Sequence, residues 1–233
     1  EQVRGFFYIA PYYDLTVFIA SLTMLATTAH FIVSMEVDFF DSYRKYYLSF
    51  NNGVTLQEIR KLERDMTDNL KKGLKRTVWV QLMVTLLAIS VGITILNVLP
   101  LGFNTTMNGY FRILCVAYAV YGMANVVTLS TIYFGNLSGS YRASIIFALT
   151  SILATIASLY TSILFYGFGF LVATMFYFII AWLDLENISS NLLYQILGRH
   201  PIIEAEKDGA FHYLASFLNQ KMLILTRKGN YEK

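Results

Sequence analysis

Hydrophobic and polar positions in this chain are sorted into blocks. From Thr77 to Phe111, Ile113 to Tyr141 and Ala143 to Leu183 there is no Lys, Arg, Asp or Glu. Apolar runs of about 18 residues or more can cross the hydrocarbon core of a bilayer as helices. An earlier run, about 14–37, has the same character but carries a histidine. The pattern predicts an all-α polytopic membrane protein with about five spans. They fall at about 14–37, 77–99, 110–133, 143–165 and 167–183. Pro100-Leu101-Gly102 stops the second span, and Gly135–Ser140 separates the third from the fourth. As one helix, Ala143–Leu183 would reach roughly 60 Å, twice the hydrocarbon thickness. It is expected to fold back at Gly167-Phe168-Gly169.

One long polar passage, 38–76, lies between the first two spans, with a turn signal at Asn51-Asn52-Gly53. Within it, Leu56, Ile59, Leu62, Met66, Leu70 and Leu74 recur every three or four residues, which predicts an amphipathic helix over Thr55–Arg76. Thr55-x-x-Glu58 fits a capping box. Lys71, Lys72, Lys75 and Arg76 gather at the far end, where they suit the helix dipole and anionic headgroups. The stripe either packs on neighbouring parts of the chain or docks a partner through Leu62, Met66 and Leu70. Beyond the spans, 184–233 forms a tail. Leu185, Ile188, Leu192 and Ile196 keep helical spacing there, and Ala210–Leu225 is a second amphipathic candidate.

Composition sharpens the membrane reading. Hydrophobic residues make up 56% and charged residues 14%, well below the roughly 25% of soluble domains. The placement of charge says more than the net +3. With spans alternating sides, sixteen basic residues share the face of loop 38–76 and the tail, against Arg4 and Arg112 on the other. Basic residues stay inside, so loop and tail are expected in the cytoplasm and the N-terminal edge outside. No signal peptide precedes that edge, so one or more spans are expected upstream of Glu1. The single cysteine, Cys115, excludes an internal disulfide framework or thiolate metal cluster.

Three candidate surfaces carry chemistry. In the first span Thr16, Ala20, Thr23, Thr27, His30, Ser34, Asp38 and Asp41 step by three or four, an arc of about 80° on a regular helix. Ionisable groups at membrane depth are costly and face a bundle interior or a wet cavity. His30 therefore either makes a helix-packing hydrogen bond or serves a lumen or proton-coupled role. Glu36 falls on the opposite side. In the third span Tyr118, Tyr121, Asn125 and Thr128 share a face that either packs or stacks on sugar rings. The fourth span has a small-residue stripe, Ser144, Ala148, Ser151, Thr155, Ser158 and Ser162, suited to close packing or to lining a pore. Neither a Gly-x-x-x-x-Gly-Lys phosphate loop nor a His-Glu-x-x-His zinc motif occurs. No cofactor, metal site or catalytic residue is expected.

Three stretches carry a family resemblance. They are Ala10-Pro11-Tyr12-Tyr13-Asp14-Leu15-Thr16-Val17-Phe18-Ile19-Ala20, then Glu36-Val37-Asp38-Phe39-Phe40-Asp41-Ser42-Tyr43, then Gly53-Val54-Thr55-Leu56 with Ile59, Met66 and Gly73. Over about residues 10–80 the chain resembles the C-terminal part of PelG-type exopolysaccharide exporters, distant relatives of the MOP flippase superfamily. The resemblance implies the last five spans of a transporter of about twelve, in the bacterial cytoplasmic membrane. It implies export of an amino-sugar-rich, Pel-like polymer for a biofilm matrix. The implied partners are the polysaccharide, the lipid bilayer, a cytoplasmic glycosyltransferase and membrane components of a Pel-type synthase complex, one of which senses cyclic-di-GMP. Nucleic acid is not among them. Export would be driven by polymer synthesis or an ion gradient, since the phosphate loop of an ATPase is missing. Two alternatives stand beside this: a scaffold anchoring a glycosyltransferase, and a membrane-embedded acyl- or glycosyltransferase using His30 and Asp38.

Overall fold

The computed structural model describes residues 2–4, 7–8, 10–51, 53–98, 104–160, 167–190 and 192. Among these the chain is helical apart from a short antiparallel pair, β1 (Gln2–Arg4) and β2 (Phe7–Tyr8). Five helices among the described residues are long and apolar enough to cross a membrane. The all-α membrane architecture expected from the block pattern is therefore the one observed.

Two rods form the first half. Helix α1 (Pro11–Ser21) opens with proline in its first turn, and the Asp14 carboxylate accepts from the Ala10 N–H at 3.1 Å. It leads into α2 (Thr23–Ser34), a π-helical turn at Met35–Phe39, and α3 (Phe40–Asn51). Gly53, at φ +64°, reverses the chain. Helix α4 (Leu56–Leu87) then runs through a second π-helical turn, Ala88–Gly92, into α5 (Ile93–Val98). The membrane-type helices cover Tyr13–Phe50 and Leu56–Val98, 38 and 43 residues. That is roughly 57 and 65 Å at 1.5 Å per residue, about twice a hydrocarbon core.

This differs from a loop with its own helix at 38–76. The polar halves are continuous with the apolar ones. A helix is held by backbone hydrogen bonds, so a change in side-chain polarity does not end it. Proline is absent from 12–98, and the only positive-φ position there among the described residues is the turn glycine Gly53.

The second half is a three-helix bundle: α6 (Thr105–Tyr133), α7 (Leu137–Leu159) and α8 (Phe168–Ser190). Asn104 and Asn136 cap α6 and α7 by accepting from the N–H groups of Met107 and Gly139 at 2.9 and 3.3 Å. Gly167, at φ +102°, precedes α8. That helix passes the expected boundary at Leu183 and continues to Ser190, with Leu185 and Ile188 buried. Arg142 of α7 pairs with Asp184 of α8 at 3.0 Å.

Helix α6 lies between the two halves. One side meets α1 and α5, where Ala20, Leu96, Phe111, Leu114 and Cys115 form a buried cluster. The outer faces remain apolar and exposed, as at Trp79, Met83 and Leu86 on α4 and Leu149, Ile152 and Leu153 on α7. Much of the small-residue stripe of α7 is exposed. Ser144, Ala148 and Thr155 are exposed, and the Ser144 and Thr155 hydroxyls donate to their own helix at Ser140 and Ser151. Pro100-Leu101-Gly102, Asn52, residues 161–165 with Ser162, and the tail beyond Leu192 with Ala210–Leu225 lie outside the described residues.

Candidate functional site: a polar seam between two rods

Helices α2 and α4 meet antiparallel along polar side chains. Thr27 and Ser34 are buried on α2, with half-buried His30 between them. Across from them on α4 are Gly73, Thr77 and Gln81. His30 Nδ1 lies 3.1 Å from Thr77 Oγ1, and that hydroxyl donates to the Gly73 carbonyl at 3.0 Å. A threonine hydroxyl has one proton to give. With that proton on Gly73, Thr77 accepts from His30, which assigns the proton to Nδ1 and leaves a lone pair on Nε2. No hydrogen bond to Nε2 is present among the described residues.

The contact extends one turn in each direction. Ser34 donates to Asp38 at 3.4 Å. Opposite it, a Cβ at Gly73 would stand 2.9 Å from Ser34 Oγ, so the missing side chain is what lets the rods approach. One turn the other way along each rod, Thr27 and Gln81 are both fully buried. Gln81 donates through Nε2 to Thr85 at 3.0 Å, but Gln81 Oε1 and Thr27 Oγ1 have no partner among the described residues. A buried polar atom left unpaired costs about 1–3 kcal/mol. The seam thus holds unspent hydrogen-bonding capacity on both sides of an ionisable ring.

The stripe expected from α1 to Asp41 breaks at the π-helical turn. The arc of about 80° assumed one unbroken α-helix, whereas a π turn inserts a residue and shifts the phase of every later position on the rod. Asn69 accordingly donates to Ser42 at 2.7 Å and not to Asp38, and Asp38 and Asp41 are exposed. Thr23 is half-buried, its hydroxyl donating to Ala20 within its own rod at 2.7 Å. Thr16 and Ala20 are buried at the opposite end of the arm.

The other two candidate sets go elsewhere. Met66 and Leu70 are 0% and 3% exposed and Leu62 is half-buried, on the arm of α4 that packs with α3. Docking through Met66 and Leu70 does not fit this packing, because their apolar surface is already spent inside the hairpin. Tyr118, Tyr121 and Asn125 turn away from the seam into the bundle. Tyr121 lies 5.4 Å from Phe147, 5.9 Å from Phe170 and 6.1 Å from Tyr177, ring centre to ring centre. Tyr118 lies 5.1 Å from Phe170, and the Tyr177 hydroxyl donates to Asn125 at 3.3 Å. No hydrogen bond or ring contact joins this set to the seam among the described residues.

Reading the sequence for charge missed the α4 half of the seam. Gly73, Thr77, Gln81 and Thr85 step by four, as a helix contact face requires. That signal was available but carried no formal charge.

Among known proteins, the family model PelG, described as "Putative exopolysaccharide Exporter (EPS-E)", matches residues 1–197. No curated protein and no solved structure matches the chain.

Proposed function

The chain belongs to the PelG family of exopolysaccharide exporters, and from that premise we propose that it moves a Pel-like, amino-sugar-rich polymer across the bacterial cytoplasmic membrane into a biofilm matrix. In this reading it is a multi-pass transporter of the flippase type. A transporter family, and not an enzyme family, is what the match describes.

The observation that carries the mechanism is the seam. Most of the membrane-type surface here is apolar, yet two rods meet through hydroxyl, imidazole and amide groups with Thr27 Oγ1, Gln81 Oε1 and His30 Nε2 in reserve. Those groups can trade helix-to-helix hydrogen bonds for bonds to water or sugar hydroxyls at little net cost, which a purely apolar contact cannot do. The sixteen-to-two placement of basic residues supports a cytoplasmic tip for the hairpin. A glycosyltransferase partner would then grip the exposed outer positions of α4, such as Arg60, Lys61 and Arg64, since Met66 and Leu70 are enclosed.

Surface polymer measured against membrane-protein abundance tests this reading. His30→Ala and Thr77→Val are expected to cut secretion at least tenfold while abundance holds. Normal secretion from the double variant would end the seam's role in export.

A further inference from the structure

A second feature lies on the outer side of the Met35–Phe39 turn. A groove of about 490 Å³ opens there between the first rod and the last turns of α6. Phe31 and Phe39 are its buried floor, while Ile32 and Leu129 line it as exposed apolar residues. Tyr43 and Tyr133 also line it, with ring centres 5.6 and 6.5 Å from that of Phe39. Glu36 is its one charged lining residue, and its exposed carboxylate has no ion pair or hydrogen bond among the described residues.

We propose that this groove binds an aminophospholipid, its primary ammonium against Glu36 between the two tyrosines and an acyl chain along Ile32 and Leu129. Charge complementarity selects the head. A carboxylate beside aromatic rings attracts a cation that can donate hydrogen bonds, and an anionic headgroup would be repelled. Position fits as well. Helix α6 ends at Tyr133 and the polar positions of the first rod begin at Glu36, so the groove lies at the level where headgroups and aromatic belts sit. The apolar lining at Ile32 and Leu129 calls for a tail, which a free sugar lacks. The volume suits one small ligand, whereas a helix about 10–12 Å across would need a far longer trough. None of this depends on the export reading.

The test uses full-length protein purified in detergent and stripped of lipid. Phosphatidylethanolamine is expected to raise its melting midpoint by about 3 °C or more and to persist on it in native mass spectrometry. Phosphatidylglycerol with the same chains should do neither. Glu36→Gln should erase the difference between the two lipids. Leu129→Trp should exclude both by filling the groove with the carboxylate intact, which keeps the test valid if Glu36→Gln alone perturbs folding. Equal effects of the two lipids, or unchanged discrimination in Glu36→Gln, would overturn the proposal. So would a cysteine at position 129 that cross-links to another polypeptide in membranes, since a partner helix would then occupy the groove.

Discussion

The hairpin of α1 to α5 and the bundle of α6 to α8 solve the same problem by different means. Within a bilayer apolar side chains gain nothing by leaving lipid for one another, so helices associate through close fit and hydrogen bonds. The bundle uses fit. Rings of Tyr118, Tyr121, Phe147, Phe170 and Tyr177 interlock at 5.0–6.4 Å between three helices. Gly169 meanwhile brings α8 against the α7 backbone, where a Cβ would lie 2.8 Å from the Ala154 oxygen. The hairpin uses hydrogen bonds between its rods, of the kind that can be exchanged, from His30 to Thr77 and from Asn69 to Ser42. Helix α6 serves both neighbours, turning Tyr121 to the bundle and Gly122 to Met24 of α2. A ring cluster resists rearrangement, while a polar seam permits it.

That contrast can be broken by substitution, read as melting in detergent alongside secretion. Tyr121→Ala removes a ring from the cluster and should cost about 3–5 kcal/mol, with abundance and secretion falling together. An unchanged melting curve would show that the rings do not hold the bundle. Gly169→Ala should cost about 1–3 kcal/mol, because backbone opposes the new methyl. Gly73→Ala should cost less, because only the rotatable Ser34 hydroxyl opposes it. Reversal of that order would mean that the hairpin is the more tightly built half. Gln81→Leu should change stability least, since an amide with an unpaired oxygen is replaced by an apolar group of similar length. If the seam serves export, secretion still falls. A large loss of stability would make Gln81 a structural residue.

The sequence made the spans legible because charge is absent from long runs, and the hairpin turn legible because of Asn51-Asn52-Gly53. It hid the continuity of the rods, since hydropathy changes at Asp38 and Arg76 while the backbone stays helical through both. It showed the α2 half of the seam through His30 and concealed the α4 half, which is uncharged. The π-helical turn that shifts the positions after it, Asp41 among them, has no composition of its own in Met35-Glu36-Val37-Asp38-Phe39. The ring partners of Tyr121 on other helices lie 26 to 56 residues away, at Phe147, Phe170 and Tyr177, and a single helix face cannot announce them.

The unbroken course of α4 has a mechanical consequence. From Leu56 to Thr77 the helix is a stiff arm of about 30 Å with the seam at its base. Tilting such an arm by about 10° displaces its tip by about 5 Å, and the same rotation acts at once on the hydrogen bond between His30 and Thr77. Gly73 stands beside the pivot with no side chain to jam it. A grip on the far end of the hairpin is therefore also a grip on the seam, and force needs no further linkage to travel between them.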